Sequence, residues 1–361
     1  MVESIQGEAR FWKKKEYISF ALSILVFFIH ISSFDQYGDS GHFISVINGK
    51  IAYFVSESIT RFAVPMFFIL SGIAFYKDYD NKKYFKKIKS RVFTLVIPYL
   101  LWNTLWMLFD IICSYTFISR FFTGRKPFVL TFSSVMLGIF HNGNNGPFWF
   151  VFNLIIFSAA APLIYLLIRN KYVGIVSVGI IAVLTYFGFG LPSSVFSTPI
   201  SIVFYMIGAM IGKHFFALTT KKAGKGLGWG SVFFLVIYIA AKNIFPPVLN
   251  TWTDDLLLKS AIFILASFAL WNAVDLFIDY IRPRAIYGRS FAVFAMHINI
   301  SAIIAKLIAL CLPRTPWMAI PNFIITVILT LIVINVVCVL LERFLPHVNA
   351  VLMGNRIRRA K

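Results

Sequence analysis

Glu16–Asp35 reads EYISFALSILVFFIHISSFD, and this stretch decides the fold. It is apolar almost throughout, follows Lys13, Lys14 and Lys15, and carries one imidazole, His30. About 20 apolar residues in a helix cross the hydrocarbon of a bilayer. A histidine inside such a span is costly to bury and calls for a polar partner or a chemical role. At about 1.5 Å per residue, His30 lies roughly 20 Å from the basic end, two thirds of the way along. From the residues alone two readings stand side by side. One is a neutral imidazole bonded to a carbonyl of a neighbouring helix, the other a proton-transfer group near neutral pH.

The rest of the chain has the same character. Of 361 residues 59% are hydrophobic and 13% charged, with 40 Phe. A soluble domain is nearer a quarter charged, so a polytopic membrane protein is the first class. The net charge of +20 would suggest nucleic acid in a soluble protein. Here the basic residues fall between apolar runs, where they set topology and meet anionic headgroups, so no nucleic-acid partner is expected. Cys113, Cys311 and Cys338 sit in apolar stretches without metal-type spacing, and no zinc site or disulfide framework is expected. No A-x-A-like site follows Phe34, and further apolar runs follow at once, so a retained first helix is expected.

Ten stretches read as spans: Tyr17–Phe34, Val55–Tyr76, Val92–Cys113, Phe148–Ile168, Val173–Leu191, Pro199–Phe216, Gly230–Phe245, Leu256–Ile278, Phe291–Leu312 and Trp317–Leu341. With the N-terminus inside and strict alternation, the inside segments hold 25 of the 34 Lys and Arg. That is the cytoplasmic excess expected of such loops. The expected fold is therefore all-α, with about ten transmembrane helices and both termini cytoplasmic. Residues 1–16 form a cytoplasmic segment, 17–341 the transmembrane domain and 342–361 a basic cytoplasmic tail. Ser133–Phe140 is read as a short interfacial or re-entrant helix, and the Asn/Gly run that ends at Asn145 as a turn.

Polar groups cluster toward the ends of spans read as outer. Asp35, Arg61, Lys242 and Lys259 all lie there, which suggests a watery cavity. Arg61 opens RFAVPMFFILSG, where Ser71 and Gly72 permit close approach of a helix or of a ligand chain. A packing seam is the plainer reading of that pair.

These residues resemble the acyltransferase-3 family of integral membrane O-acyltransferases. Val64-Pro65-Met66-Phe67-Phe68-Ile69-Leu70-Ser71-Gly72 matches its V-P-L-F-F-x-L-S-G helix and is the most specific piece. Glu16-Tyr17-Ile18-Ser19, followed by His30, stands where the family has D-x-L-R, an apolar stretch and His. Arg91, Pro98, Tyr99 and Trp102 match R-x(5,6)-P-Y-x-x-W, and Phe148-Trp149-Phe150 an L-W-F-like element. Gly288, Ser290, Phe291 and His297 match a late G-x-x-S-F…H. Where the family commonly has Arg, eleven residues before the histidine, this chain has Ser19, with Lys15 one turn earlier.

The resemblance implies transfer of an acyl group, usually acetyl, from cytoplasmic acyl-CoA to a hydroxyl of an extracytoplasmic glycan. It implies His30 as general base, either moving the proton directly or forming an acyl-imidazole. Arg61, Ser71, Gly72 and Arg91 are the candidates for oxyanion or acyl-donor binding, and Lys82–Arg91 offers charge to the phosphates of acetyl-CoA. Asp35 or Glu57 is the candidate orienter of the imidazole, by the logic of base and orienter. Trp149, Ser290 and His297 are the candidates for the acceptor cavity. No metal and no permanently bound cofactor are expected; the partners are acyl-CoA, a surface or lipid-linked glycan, and membrane lipids. The expected place is the plasma membrane, as a multi-pass protein. Two other classes compete. One is a transporter or flippase of a lipid-linked saccharide, against which the absence of an internal repeat counts. The other is a scaffold, in which buried cations would be needless.

Overall fold

The computed structural model describes residues 2–30, 43–120, 127–141, 146–189, 198–244, 256–313 and 315–354. Among them every regular element is helical. The first eight α-helices are α1 (Val2–Ile29), α2 (Phe43–Tyr53), α3 (Ala63–Tyr76), α4 (Tyr84–Arg91), α5 (Ile97–Tyr115), α6 (Phe132–Phe140), α7 (Trp149–Ala159) and α8 (Ala161–Ile168). Then follow α9 (Lys171–Tyr186), α10 (Ser201–His214), α11 (Phe216–Thr220), α12 (Lys225–Ile244), α13 (Leu256–Val274), α14 (Ser290–Cys311), α15 (Ala319–Phe344) and α16 (Pro346–Leu352). Two π-helical turns, Phe54–Ser58 and Val92–Val96, join α2 toward α3 and α4 to α5.

Each of the ten stretches read as a span contains helix, but six described helical stretches are long and apolar enough to cross a membrane: Phe43–Tyr76, Asn81–Tyr115, Lys225–Ile244, Leu256–Val274, Ala285–Cys311 and Pro316–Phe344. Gly146–Ala159 and Ala161–Ile168, bent by 69°, make a seventh if they are one broken span. The break has a cause: Pro162 cannot continue the hydrogen-bond ladder of α7 and sits in the first turn of α8 instead. The remaining stretches fall short for physical reasons. α10, at 14 residues, reaches about 21 Å and α9, at 16, about 24 Å, against a core near 30 Å. In α1 the helix reaches back to Val2, so its apolar half shares a turn with Lys13, Lys14, Lys15 and Glu16.

The chain divides into two units. Unit 1 comprises Met1–Ile29, Tyr53–Lys86 and Phe157–Ser290. Its centre is the pair α3 and α10, which meet backbone to backbone. A Cβ on Gly72 would strike the Tyr205 carbonyl and one on Gly208 the Ile69 carbonyl, while one on Gly212 would lie 2.6 Å from the Ile73 oxygen. Lipid tails are as apolar as the side chains, so such pairs are held by close packing rather than by the hydrophobic effect. Phe68, Phe157, Tyr205 and Tyr76 fill the flanks of the seam, and the Tyr76 hydroxyl donates to the Ala161 carbonyl at 3.1 Å.

At one end of unit 1 lies a buried ion cluster. Lys14 is 1% exposed and donates to Asp275 at 2.7 Å; Arg10 reaches the other Asp275 oxygen at 3.4 Å, and the Ala223 amide donates to Asp275 at 3.0 Å. The Lys14 ammonium also lies 4.1 Å over the Trp271 ring. A hydrogen bond from Lys222 holds the Asp279 carboxyl below the usual carboxylate range. Removing one partner of a buried pair leaves an uncompensated charge, which costs about 3–5 kcal/mol. Asp275→Asn is therefore expected to lower the thermal midpoint markedly in detergent. Lys14→Met with Asp275→Leu should recover most of it, and a double variant no better than Asp275→Asn would show that the pair is not what holds this end.

Unit 2 comprises His30–Ala52, Lys87–Ile156 and Phe291–Lys361. Here α5 organises its neighbours by donating to their backbone carbonyls, those at the ends of α6 and α16 having no helical partner. Tyr99 donates to the Phe140 carbonyl at 2.9 Å and Asn103 to Ile139 at 3.2 Å, at the end of α6. Trp102 donates to the Leu352 carbonyl of α16 at 3.0 Å, and Trp106 to the Ala295 carbonyl of α14 at 2.9 Å. The short helix expected at Ser133–Phe140 is α6, capped by the Thr131 hydroxyl accepting from the Ser134 amide.

Candidate active site

In unit 2 His30, just past the last turn of α1, meets His297 of α14. The ring centroids are 5.6 Å apart, with the planes tilted by 39°. The two environments differ. His30 is exposed; His297 is 1% exposed. His297 Nδ1 lies 3.0 Å from both the Val293 and the Phe294 carbonyl oxygens. Carbonyls only accept, so Nδ1 carries the proton, and in the neutral ring Nε2 holds the lone pair. A helical carbonyl i−4 position thus fixes the tautomer of His297 and leaves its Nε2 as an acceptor.

The wall beside this ring is aromatic. Phe148, fully buried, stacks on Phe294 at 5.8 Å with planes 8° apart and on Tyr99 at 5.8 Å. Phe150 meets Phe294 edge-on at 5.7 Å, and Phe294 lies 6.3 Å from His297. The Phe148-Trp149-Phe150 element therefore builds the support of α14 through its two phenylalanines, with Trp149 half-buried between them. Deeper in the same unit, Asn322, Thr326 and Thr330 form one fully buried face of α15 at helical spacing. Thr326 donates to Asn322 Oδ1 at 3.2 Å, while Asn322 Nδ2 and Thr330 Oγ1 find no partner among the described residues. Asn299 Nδ2 of α14 is likewise buried and unpartnered there. Buried polar atoms are normally hydrogen-bonded, so three unpartnered ones on two helices call for an explanation.

The other residues named from the sequence fall as follows. Asp35 lies outside the described residues. Glu57, in unit 1, is engaged by Arg61, whose Nε donates to Oε2 at 2.7 Å while Nη2 bonds Oε1. This fork-to-fork pair fixes Arg61 one turn before the VPMFFILSG helix. Gly72 is consumed by the contact with α10, so the seam reading is the one its surroundings support, and Ser71 beside it is half-buried. Arg91 ends α4, a basic helix with Lys86 and Lys89 exposed, and leads into the π-turn Val92–Val96. Ser290 opens α14, two turns or about 10 Å before His297, and is not beside the ring. Ser19 is buried and brings no charge; Lys15 lies 5.8 Å from the Trp12 ring.

Reading from sequence did not join His30 to His297, which are far apart in the chain. It also passed over Asn322, Thr326 and Thr330, whose i, i+4, i+8 spacing on an apolar helix was the available signal.

Residues 20–339 match the family model Acyl_transf_3, described as an acyltransferase domain. No curated protein and no solved structure matches the chain. The match covers nearly the whole sequence, both histidines included, and an all-helical chain with several membrane-length apolar helices accords with it. The chain belongs to the acyltransferase-3 family and is a membrane acyltransferase.

Proposed function

We propose that the protein transfers an acyl group, acetyl in the simplest case, from acyl-CoA on the cytoplasmic side to a hydroxyl of a glycan on the outer side of the plasma membrane. His30 is the general base. The observation that carries this reading is the pairing of an exposed His30 with a buried His297 whose Nδ1 is tied to two carbonyls. A sugar hydroxyl is a weak nucleophile near pH 7. One nitrogen of His30 takes its proton as the oxygen attacks the thioester carbonyl, and the same proton goes to the departing thiolate as the tetrahedral adduct collapses. His297, with a lone pair on Nε2, serves as orienter by accepting the other N–H of His30. Asp35 remains the alternative orienter; Glu57 does not, since Arg61 occupies it. Arg61, engaged by the same pair, is given no part in the step, and Lys82, Lys86, Lys89 and Arg91 are proposed to draw the phosphates of acyl-CoA. The unpartnered amide and hydroxyl groups of α14 and α15 suit an acceptor rich in hydroxyls, with Trp149 at its rim.

An orienting role for His297 is separable from a packing role. His297→Gln retains an acceptor oxygen of similar reach, whereas His297→Leu retains only bulk. With His30 intact, we expect His297→Leu to lower kcat about 10- to 100-fold with little change in KM, and His297→Gln to restore part of it. These are the effects typical of a lost orienting partner. Equal kcat for both variants, with normal yields, would reduce His297 to a structural residue.

A further inference from the structure

The end of unit 1 remote from Lys14 and Asp275 holds three cations and one carboxylate among the described residues. Arg61 occupies both oxygens of Glu57. Lys242, in the last turn of α12, is 5% exposed, and its ammonium reaches the Glu57 backbone carbonyl at 3.3 Å. The Glu57 carboxylate attracts it, while Lys259, in the first turn of α13, and Arg61 repel it. Neither Lys242 nor Lys259 makes a salt bridge among the described residues, and the Glu57 carboxylate that attracts Lys242 is held on both oxygens by Arg61. One turn before Lys242 on the same face of α12 stands Tyr238, 8% exposed, whose hydroxyl has no partner among the described residues. It interacts with Glu57 and Arg61, which places it in the same group. Asn243 fixes the register by donating to Ser58 at 3.0 Å and so ties α12 to the π-turn Phe54–Ser58. Such π-turns recur at functional sites.

A buried ammonium with one long bond to a carbonyl, and a carboxylate nearby that it shares with Arg61, is only partly compensated, because taking an ion from water costs several kcal/mol unless a full opposite charge replaces the water. The geometry points to a bound oxyanion, a phosphate or carboxylate, held by Lys242, Lys259 and the Tyr238 hydroxyl. Lysines bind such groups as point charges and the hydroxyl adds direction. If the activity and topology proposed above hold, this end faces outward and the anion belongs to the acceptor, which would then be an acidic or phosphorylated glycan. An anionic lipid headgroup offers the same chemistry.

The test uses the full-length protein in phosphatidylcholine nanodiscs with no acyl donor, so it does not depend on whether His30 moves a proton. Glucose 1-phosphate and glucuronate are expected to raise the thermal unfolding midpoint, and glucose to leave it unchanged. Lys259→Met, partly exposed and so tolerant of change, should weaken the apparent Kd at least about tenfold, or 1.4 kcal/mol. Lys242→Met should do the same, and His30→Ala should bind as the wild type does. Identical midpoints with all three sugars, or an undiminished shift in Lys259→Met, would overturn the site. In discs containing phosphatidylglycerol, a rise that Lys259→Met lacks, with no further effect of the sugars, would keep the site but assign it to the lipid and overturn the acidic acceptor.

Discussion

Replacing His30 by alanine is expected to lower acyl transfer at least about 10²- to 10⁴-fold, the contribution usual for a positioned acid–base group. The protein should insert and survive purification as the wild type does. The basis for the second half is local: His30 is exposed and follows the last turn of α1, so truncation opens no cavity. Exposed substitutions away from caps and buried pairs usually change stability by about 0.5 kcal/mol or less. Loss of activity with an unchanged thermal midpoint therefore separates chemistry from folding. His30→Gln should be nearly as inactive, since an amide can donate to His297 Nε2 as proposed for the imidazole but takes no proton near pH 7.

The second large effect concerns the frame. Gly208→Val is expected to prevent recovery of folded protein, and Gly208→Ala to lower the thermal midpoint. The added Cβ would meet the backbone of Ile69, which cannot rotate away as a side chain can. Gly72 and Gly212 make the same approach at neighbouring turns, so α3 and α10 would have to part along the whole seam. Overpacking in a fitted core costs about 1–3 kcal/mol and occasionally more. Here the rings of Phe68, Phe157 and Tyr205 would lose contact as well. A Gly208→Val protein with an unaltered midpoint would mean that the two helices are not held at this distance.

Much of this was legible in the amino-acid order, for identifiable reasons. Apolar runs announce helices because hydropathy is local, and each of the ten stretches read as a span contains helix. The number of full spans did not, because α10 and the halves of the broken pair α7 and α8 are apolar but short. The Ser71-Gly72 pair declared a close contact, and Gly208-x-x-x-Gly212 carried the complementary signal. What sequence could not supply was their partnership, which is a fact of packing. The same holds for the site. His30 stood out as a lone imidazole in an apolar run, but its nearness to His297 and the tautomer fixed by Val293 and Phe294 exist only in three dimensions. The aromatic motifs were legible as family marks while their work was hidden. Tyr99 and Trp102 close off carbonyls of α6 and α16 rather than meeting a ligand through those groups.

The account rests on His30 as the group that moves the proton, and the pH profile of turnover in His30→Ala protein, with and without added imidazole, tests it most directly. Because the side chain is exposed, free imidazole should reach the space it leaves. The predicted result is a residual rate without the wild-type inflection, raised by imidazole in proportion to its concentration and falling away as the added base becomes protonated. A residual rate that ignores imidazole and still titrates with the wild-type midpoint would show that another group takes the proton.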